Sequence, residues 1–155
     1  MEDQFWLMKS EPRVYSIDDL EEDGSAPWTG VRNYEARNTM RDGMRKGDRV
    51  LFYHSSTTPP GVAGVARVSR EAYPDFTAFD ESHDYFDPKS NPDAPRWYMV
   101  DVEFVEKFPR LIPLQELRDI PELSEMVLLN RMRLSVQPVR AHEFDLIVKL
   151  GRGGG

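Results

Sequence analysis

Residues 97–105 (WYMVDVEFV) place Trp97, Met99 and Asp101 on one side of an extended chain and Tyr98, Val100, Val102 and Phe104 on the other. This is the strongest strand in the sequence. Three shorter β-rich runs accompany it. Gln4–Lys9 is an apolar, aromatic run too short for a helix, Arg49–His54 is rich in β-formers, and Val62–Val68 reads as its hairpin partner. Glycines at 61 and 64 mark a bulge or a close backbone approach there. Short helical segments stand between these runs. Ser16 caps one that Gly24 ends, Asn33 caps one running to Met44, and others are expected at 114–117, 122–129 and 141–150. Residues 133–139 read as extended, and 74–96, with four prolines, as loop. Strands and helices do not alternate as βαβ units. The expected class is therefore α+β, a small domain around a curved or closed sheet.

Length bounds the organisation. A chain of 155 residues supports one domain, placed at 1–150, followed by a flexible Gly-rich tail at 151–155. The absence of Cys excludes disulfides, thiolate nucleophiles and Cys-ligated zinc. No apolar run approaches the ~20 residues of a membrane span, and the first residues lack a secretory signal. These features point to a cytosolic or nuclear protein.

The net charge of −7 argues against a nucleic-acid partner held by bulk charge. The charge is uneven, however. Residues 16–25 and 71–87 contribute −11, which leaves the rest of the chain at +4. Residues 30–50 are locally +3, and Arg131, Arg133 and Arg140 stand in a stretch without acids. Any backbone contact is thus expected to be weak, salt-sensitive and confined to one basic rim.

Catalytic and metal motifs are absent from the sequence. His54, His83 and His142 form no metal-ligand pair. There is no nucleophile elbow and no phosphate-binding glycine loop. No cofactor and no metal are expected. Asp101 and Glu103 share one strand face and, with His54, are the acid/base choice for an enzyme acting on a nucleotide-like small molecule.

Aromatic residues beside cations, amides and hydroxyls recur at element ends. Trp28 precedes Arg32-Asn33-Tyr34, Tyr53 precedes His54-Ser55, Arg96 precedes Trp97, and Lys9-Ser10 follows Phe5-Trp6. Flat rings stack on a base, polar groups read its edge and cations hold phosphates. Trp28 lies in a polar loop with only Val31 apolar beside it, the setting of a ring that lines a site or caps a core edge. An aromatic cage for methylated lysine uses similar parts and needs acids in its wall.

The motifs WLMKSEP (6–12), YSIDDL (15–20), W-x-G-V-R-N-Y-x-A-R-N (28–38), GDRVLFYHS (47–55), GVAGVARV (61–68), YPD (73–75), DPKS (87–90), RWYMVDVEFV (96–105) and RLSVQPV (133–139) closely resemble the EVE domain family. The resemblance runs from Trp6 to about Leu150. It implies a PUA-like fold, a small β-barrel of about five to six strands with short helices around it, related to YTH and ASCH domains. It also implies a non-catalytic module that reads a modified base in DNA or RNA. Partners would include proteins of a nucleic-acid modification or restriction pathway. The location would be cytoplasmic for a bacterial chain and nuclear for a eukaryotic one.

Carried onto matching positions, the resemblance implies one base pocket. Lys9, Ser10, Trp28, Val31, Asn33, Tyr34, Tyr53, His54, Ser55, Trp97, Arg133 and Ser135 would line or flank it. Trp28 and Trp97 would stack or touch a methyl. Ser10, Asn33 and Ser55 would bond the base edge. Arg32 and Arg37, with Lys9 and Arg133, would sit near phosphate.

Overall fold

The computed structural model describes residues 4–153. Six strands form one mixed sheet: β1 (Phe5–Ser10), β2 (Ser25–Pro27), β3 (Arg49–His54), β4 (Gly61–Pro74), β5 (Tyr98–Pro113) and β6 (Val136–Val139), in the order β2-β5-β4-β3-β1-β6. Strands β1 and β3 are parallel, with Phe5 opposite Arg49 and Ser10 opposite His54. The other pairs are antiparallel.

The crossover between β1 and β3 carries α1 (Ile17–Asp23), β2, α2 (Tyr34–Asn38) and a π-helical turn over Thr39–Gly43. Ser16 closes a capping box with Asp19, and the Asn33 side chain accepts the Ala36 N–H at the start of α2. Helices α3 (Leu114–Arg118), α4 (Val127–Asn130) and α5 (Ala141–Gly151) follow β5.

Alternation along the strands builds two cores, one on each face. Trp6, Met8, Val50 and Phe52 join Ile17, Leu20 and Met40 on the face covered by the crossover. Leu7, Leu51, Val62 and Val65 meet Leu117, Phe144 and Ile147 on the other. A sheet covered on both sides cannot show a simple in/out pattern, which is why β1 and β3 read as apolar runs.

Three expectations need correction. The sheet is open, not a closed barrel, because its edge strands β2 and β6 each pair with one neighbour only. Register shifts along the β4–β5 ladder bend the sheet without closing it. The helix expected at 122–129 is split into a 3-10 turn over Pro121–Leu123 and α4. The supposed tail begins inside α5: Gly151 is buried against the Phe108 ring, where a Cβ would approach to 2.4 Å, and Arg152 pairs with Glu106. Gly154 and Gly155 lie outside the described residues. Among the described residues no helix is long and apolar enough to cross a membrane.

Candidate nucleic-acid interface

A cavity of about 880 Å³ opens at the end of the sheet where the parallel strands β1 and β3 finish. Lys9 and Ser10 reach it from β1, Tyr53 from β3 and Ser55 from the residue just after it. The chain from Trp28 to Arg32, the loop at 83–85 and the loop at 132–135 complete the wall. Trp28 belongs to the core on one face and Leu114 to the core on the other, so the cavity bridges the two. Backbone ends of parallel strands, with loops leading away from them, are where a crevice of this kind forms.

Hydrogen bonds fix the floor. The Ser55 N–H donates to the Ser10 carbonyl at 2.9 Å, and the Lys9 N–H to the Ser135 carbonyl at 2.9 Å. Ser10 Oγ donates to the Tyr15 carbonyl at 2.6 Å, which leaves its lone pairs as acceptors. Ser56, also in the wall, holds φ at +54°, the left-handed region that a non-glycine residue rarely adopts.

A buried carboxylate organises one side. Asp75 accepts from the Gly30 N–H at 2.9 Å and from Arg32 Nη1 at 3.1 Å through one oxygen. Its other oxygen takes the N–H and hydroxyl of Thr77. Arg32 then donates to the Tyr85 carbonyl at 2.7 Å. One side chain thereby ties the loop after β2 to the loop bearing Tyr85.

The charge of the rim is mixed. Lys9 and Arg133 are cationic, while Glu11 and Asp84 are acidic. Burial pushes the Lys9 ammonium below its ordinary range. Its Nζ donates to the Met132 carbonyl at 2.6 Å and lies 5.6 Å from the Tyr53 ring centroid. Burial pushes the Tyr53 hydroxyl upward, so that ring stays neutral.

Of the residues expected at one pocket, Lys9, Ser10, Trp28, Val31, Tyr53, Ser55, Arg133 and Ser135 line this cavity, as does Arg32. Trp28 is both wall and core, 7% exposed and edge-on to Phe52. The others are committed elsewhere. The Asn33 side chain caps α2. Tyr34 and Trp97 stack on each other outside the cavity, and Trp97 Nε1 donates to Asp87. His54 Nε2 accepts the Ile17 N–H at 3.1 Å. Arg37 donates to the Arg96 carbonyl and lies over Tyr34. Arg32, although in the wall, has its donors turned to Asp75, Thr77 and Tyr85 rather than outward.

His83 and Tyr85 escaped sequence reasoning. The criterion applied to Trp28, a ring in a polar loop, fits Tyr85 in HDYFD (83–87) equally well.

The acid/base pair is not assembled. His54 is opposite Gly61 and Asp101 is opposite Arg70, separated by nine residues of β4, about 30 Å of extended strand. Asp101 accepts from the Tyr73 hydroxyl and Glu103 pairs with Arg67. Among the described residues no three His, Asp or Glu side chains gather as a metal site.

Comparison with known proteins gives consistent relatives. The EVE domain family matches residues 4–150. Thymocyte nuclear protein 1 from Homo sapiens is 43% identical across 94% of this chain and 72% of its own length. A hypothetical protein from Leishmania major has a solved structure that superposes with a TM-score of 0.95 at 51% identity, covering 98% of this chain and 96% of that one. The human THYN1 protein, solved in complex with 5-methylcytosine containing DNA, superposes with a TM-score of 0.90 at 42% identity, covering 96% of this chain and 98% of that one.

Proposed function

Because the chain belongs to the EVE domain family, we propose that it is a non-catalytic reader of DNA that takes one modified base, 5-methylcytosine, into the cavity at the ends of β1 and β3. The observation that carries this reading is the cavity wall: rings, hydroxyls and cations converge on one open cleft of about 880 Å³, within the size range of small-ligand sites. The relative solved with 5-methylcytosine containing DNA supports the choice of ligand.

The roles follow from the geometry. Trp28 and Tyr85 offer ring surface to the base and its methyl. Ser10 and Ser55 offer hydroxyls to its edge. Lys9 and Arg133 stand at the rim for phosphate. Unstacking the base costs a few kcal/mol, and stacking on protein rings returns about 1–3 kcal/mol. The methyl adds about 0.8 kcal/mol if buried. Hydrogen bonds to the base edge must therefore complete the affinity, and preference for the methyl is modest unless cytosine leaves a polar group unpaired. A rim carrying both signs of charge fits recognition of one pocketed base better than tracking of a long backbone.

Titration with matched duplexes carrying one 5-methylcytosine or none tests the reading. Tighter binding of the methylated duplex that persists as salt rises is expected. Equal binding that salt abolishes would leave charge alone.

A second reading rests on Glu11 and Asp84 in the wall, since acids beside rings suit methylated lysine. A methyl-lysine peptide panel separates the two.

A further inference from the structure

Two exposed apolar side chains line the cavity, each next to an arginine in the chain: Val14 after Arg13 and Met132 before Arg133. Val14 is 60% and Met132 46% exposed. Among the described residues the other exposed large apolar side chains, Tyr34, Phe76 and Val105, do not line the cavity.

The backbone under Met132 is held from several sides. Its carbonyl accepts Lys9 Nζ at 2.6 Å. Arg131 makes a two-point pair with Glu35 at 2.8 and 3.1 Å. Leu134 is buried in the core. A tethered loop thus presents a long, unbranched thioether at the mouth of the site, largely in solvent, with only a long contact of 3.5 Å from Arg118 Nη2 to its sulfur.

A base drawn from a duplex leaves a gap between its former neighbours, and an apolar wedge in that gap restores part of the lost stacking. We propose that Met132 is that wedge: it enters the duplex at the position vacated by the base in the cavity, with Val14 as a second apolar contact in the cavity wall and Arg13 and Arg133 against the flanking phosphates. This inference rests on the proposed base-reading function and adds the double-stranded form of the target to it. Methionine suits the task because three rotatable bonds let it fit an irregular gap. Lys9 links wedge and cavity, since the same ammonium that faces the pocket holds the Met132 carbonyl.

The test compares wild type, Met132→Ala and Met132→Leu on a duplex with one 5-methylcytosine and on the same strand unpaired. Met132→Ala should bind the duplex about tenfold more weakly, the scale of one lost stacking contact. It should bind the single strand as wild type does, because no neighbouring stack remains to be filled. Met132→Leu should restore most of the duplex affinity. Exposure of the side chain means that melting should be unchanged in both variants. Equal loss on both targets, or loss on neither, overturns the wedge while wild-type discrimination of the methyl keeps the base reader. Loss of discrimination in wild type itself overturns the base reader and the wedge with it.

Discussion

The Tyr85 ring closes on the backbone of Gly30 so tightly that a Cβ at position 30 would sit 2.4 Å from its ring carbons. Gly30 also holds φ at +82°. This contact joins two cavity loops that are far apart in sequence, and it places a ring in the wall.

Gly30→Ala should therefore displace Tyr85 as well as strain the backbone. Gly24→Ala is the control, since Gly24 has the same φ of +82° and nothing within 4 Å of a Cβ. Gly24→Ala should lose about 1–2 kcal/mol from the backbone alone. Gly30→Ala should lose more in urea unfolding and should also weaken binding of methylated DNA. Equal losses in the two variants would show that the Tyr85 contact carries no weight.

Asp75→Asn tests the strut. The carboxylate is fully buried and bonds Gly30, Arg32 and Thr77. An amide would turn an NH₂ toward one of these donors and leave Arg32 without its counter-charge. A loss of about 2–4 kcal/mol is expected from chemical unfolding. Methylated-DNA affinity should fall as well, because Arg32 would no longer hold the Tyr85 loop.

Trp28→Ala should lower stability by about 3–5 kcal/mol, since the ring is packed in the core against Phe52. Its effect on binding would then be confounded with folding. Tyr85→Ala, at a half-buried loop position, should leave the melting temperature within a few degrees and still reduce methylated-DNA binding. Unchanged binding in Tyr85→Ala would remove that ring from the site.

His54 predicts an acid dependence. Burial holds its pKa below the ordinary 6.5, and its neutral Nε2 accepts the Ile17 N–H. The unfolded chain takes up the proton first as pH falls. Stability from this group is thus full above about pH 6.5 and is lost as pH drops toward the folded-state value. Melting of wild type and His54→Gln, compared from about pH 7.5 to about pH 5, should show a gap that narrows with acid. A constant gap would contradict the neutral-acceptor role.

Local signals mark the element ends that depend on local chemistry. Arg49–His54 is bounded as expected, Ser16 and Asn33 cap their helices, and Gly24 ends α1 in a positive-φ conformation. The extension of β4 to Pro74 and of β5 to Pro113 was hidden, because the first is polar and is held by pairing with Tyr98–Asp101, while the second mixes charges with prolines and is held by pairing with Gly61–Val65. The resemblance to the EVE domain family correctly gave the relatives, whereas the barrel it implied is an open sheet. Within the site, Lys9, Ser10, Tyr53 and Ser55 were legible because the parallel pairing of β1 and β3 brings those strand ends together, whereas His54 turns away to the Ile17 N–H. Trp97 and Tyr34 were not, because their mutual stack is a tertiary pairing across 63 positions that no local pattern records. Tyr85 enters the wall through Gly30 and Asp75, contacts that exist only once the fold has formed.

The most direct test places the methyl group itself. A duplex carrying one ¹³C-methyl-labelled 5-methylcytosine is titrated with the protein, and the methyl resonance and its nuclear Overhauser contacts are recorded. The expected result is a ring-current shift of the methyl signal with contacts to ring protons of Trp28 or Tyr85, both lost in Tyr85→Ala at unchanged melting temperature. A methyl signal that stays at its free-duplex position while protein resonances move on the Tyr34–Arg37 face would contradict the cavity as the site of base recognition.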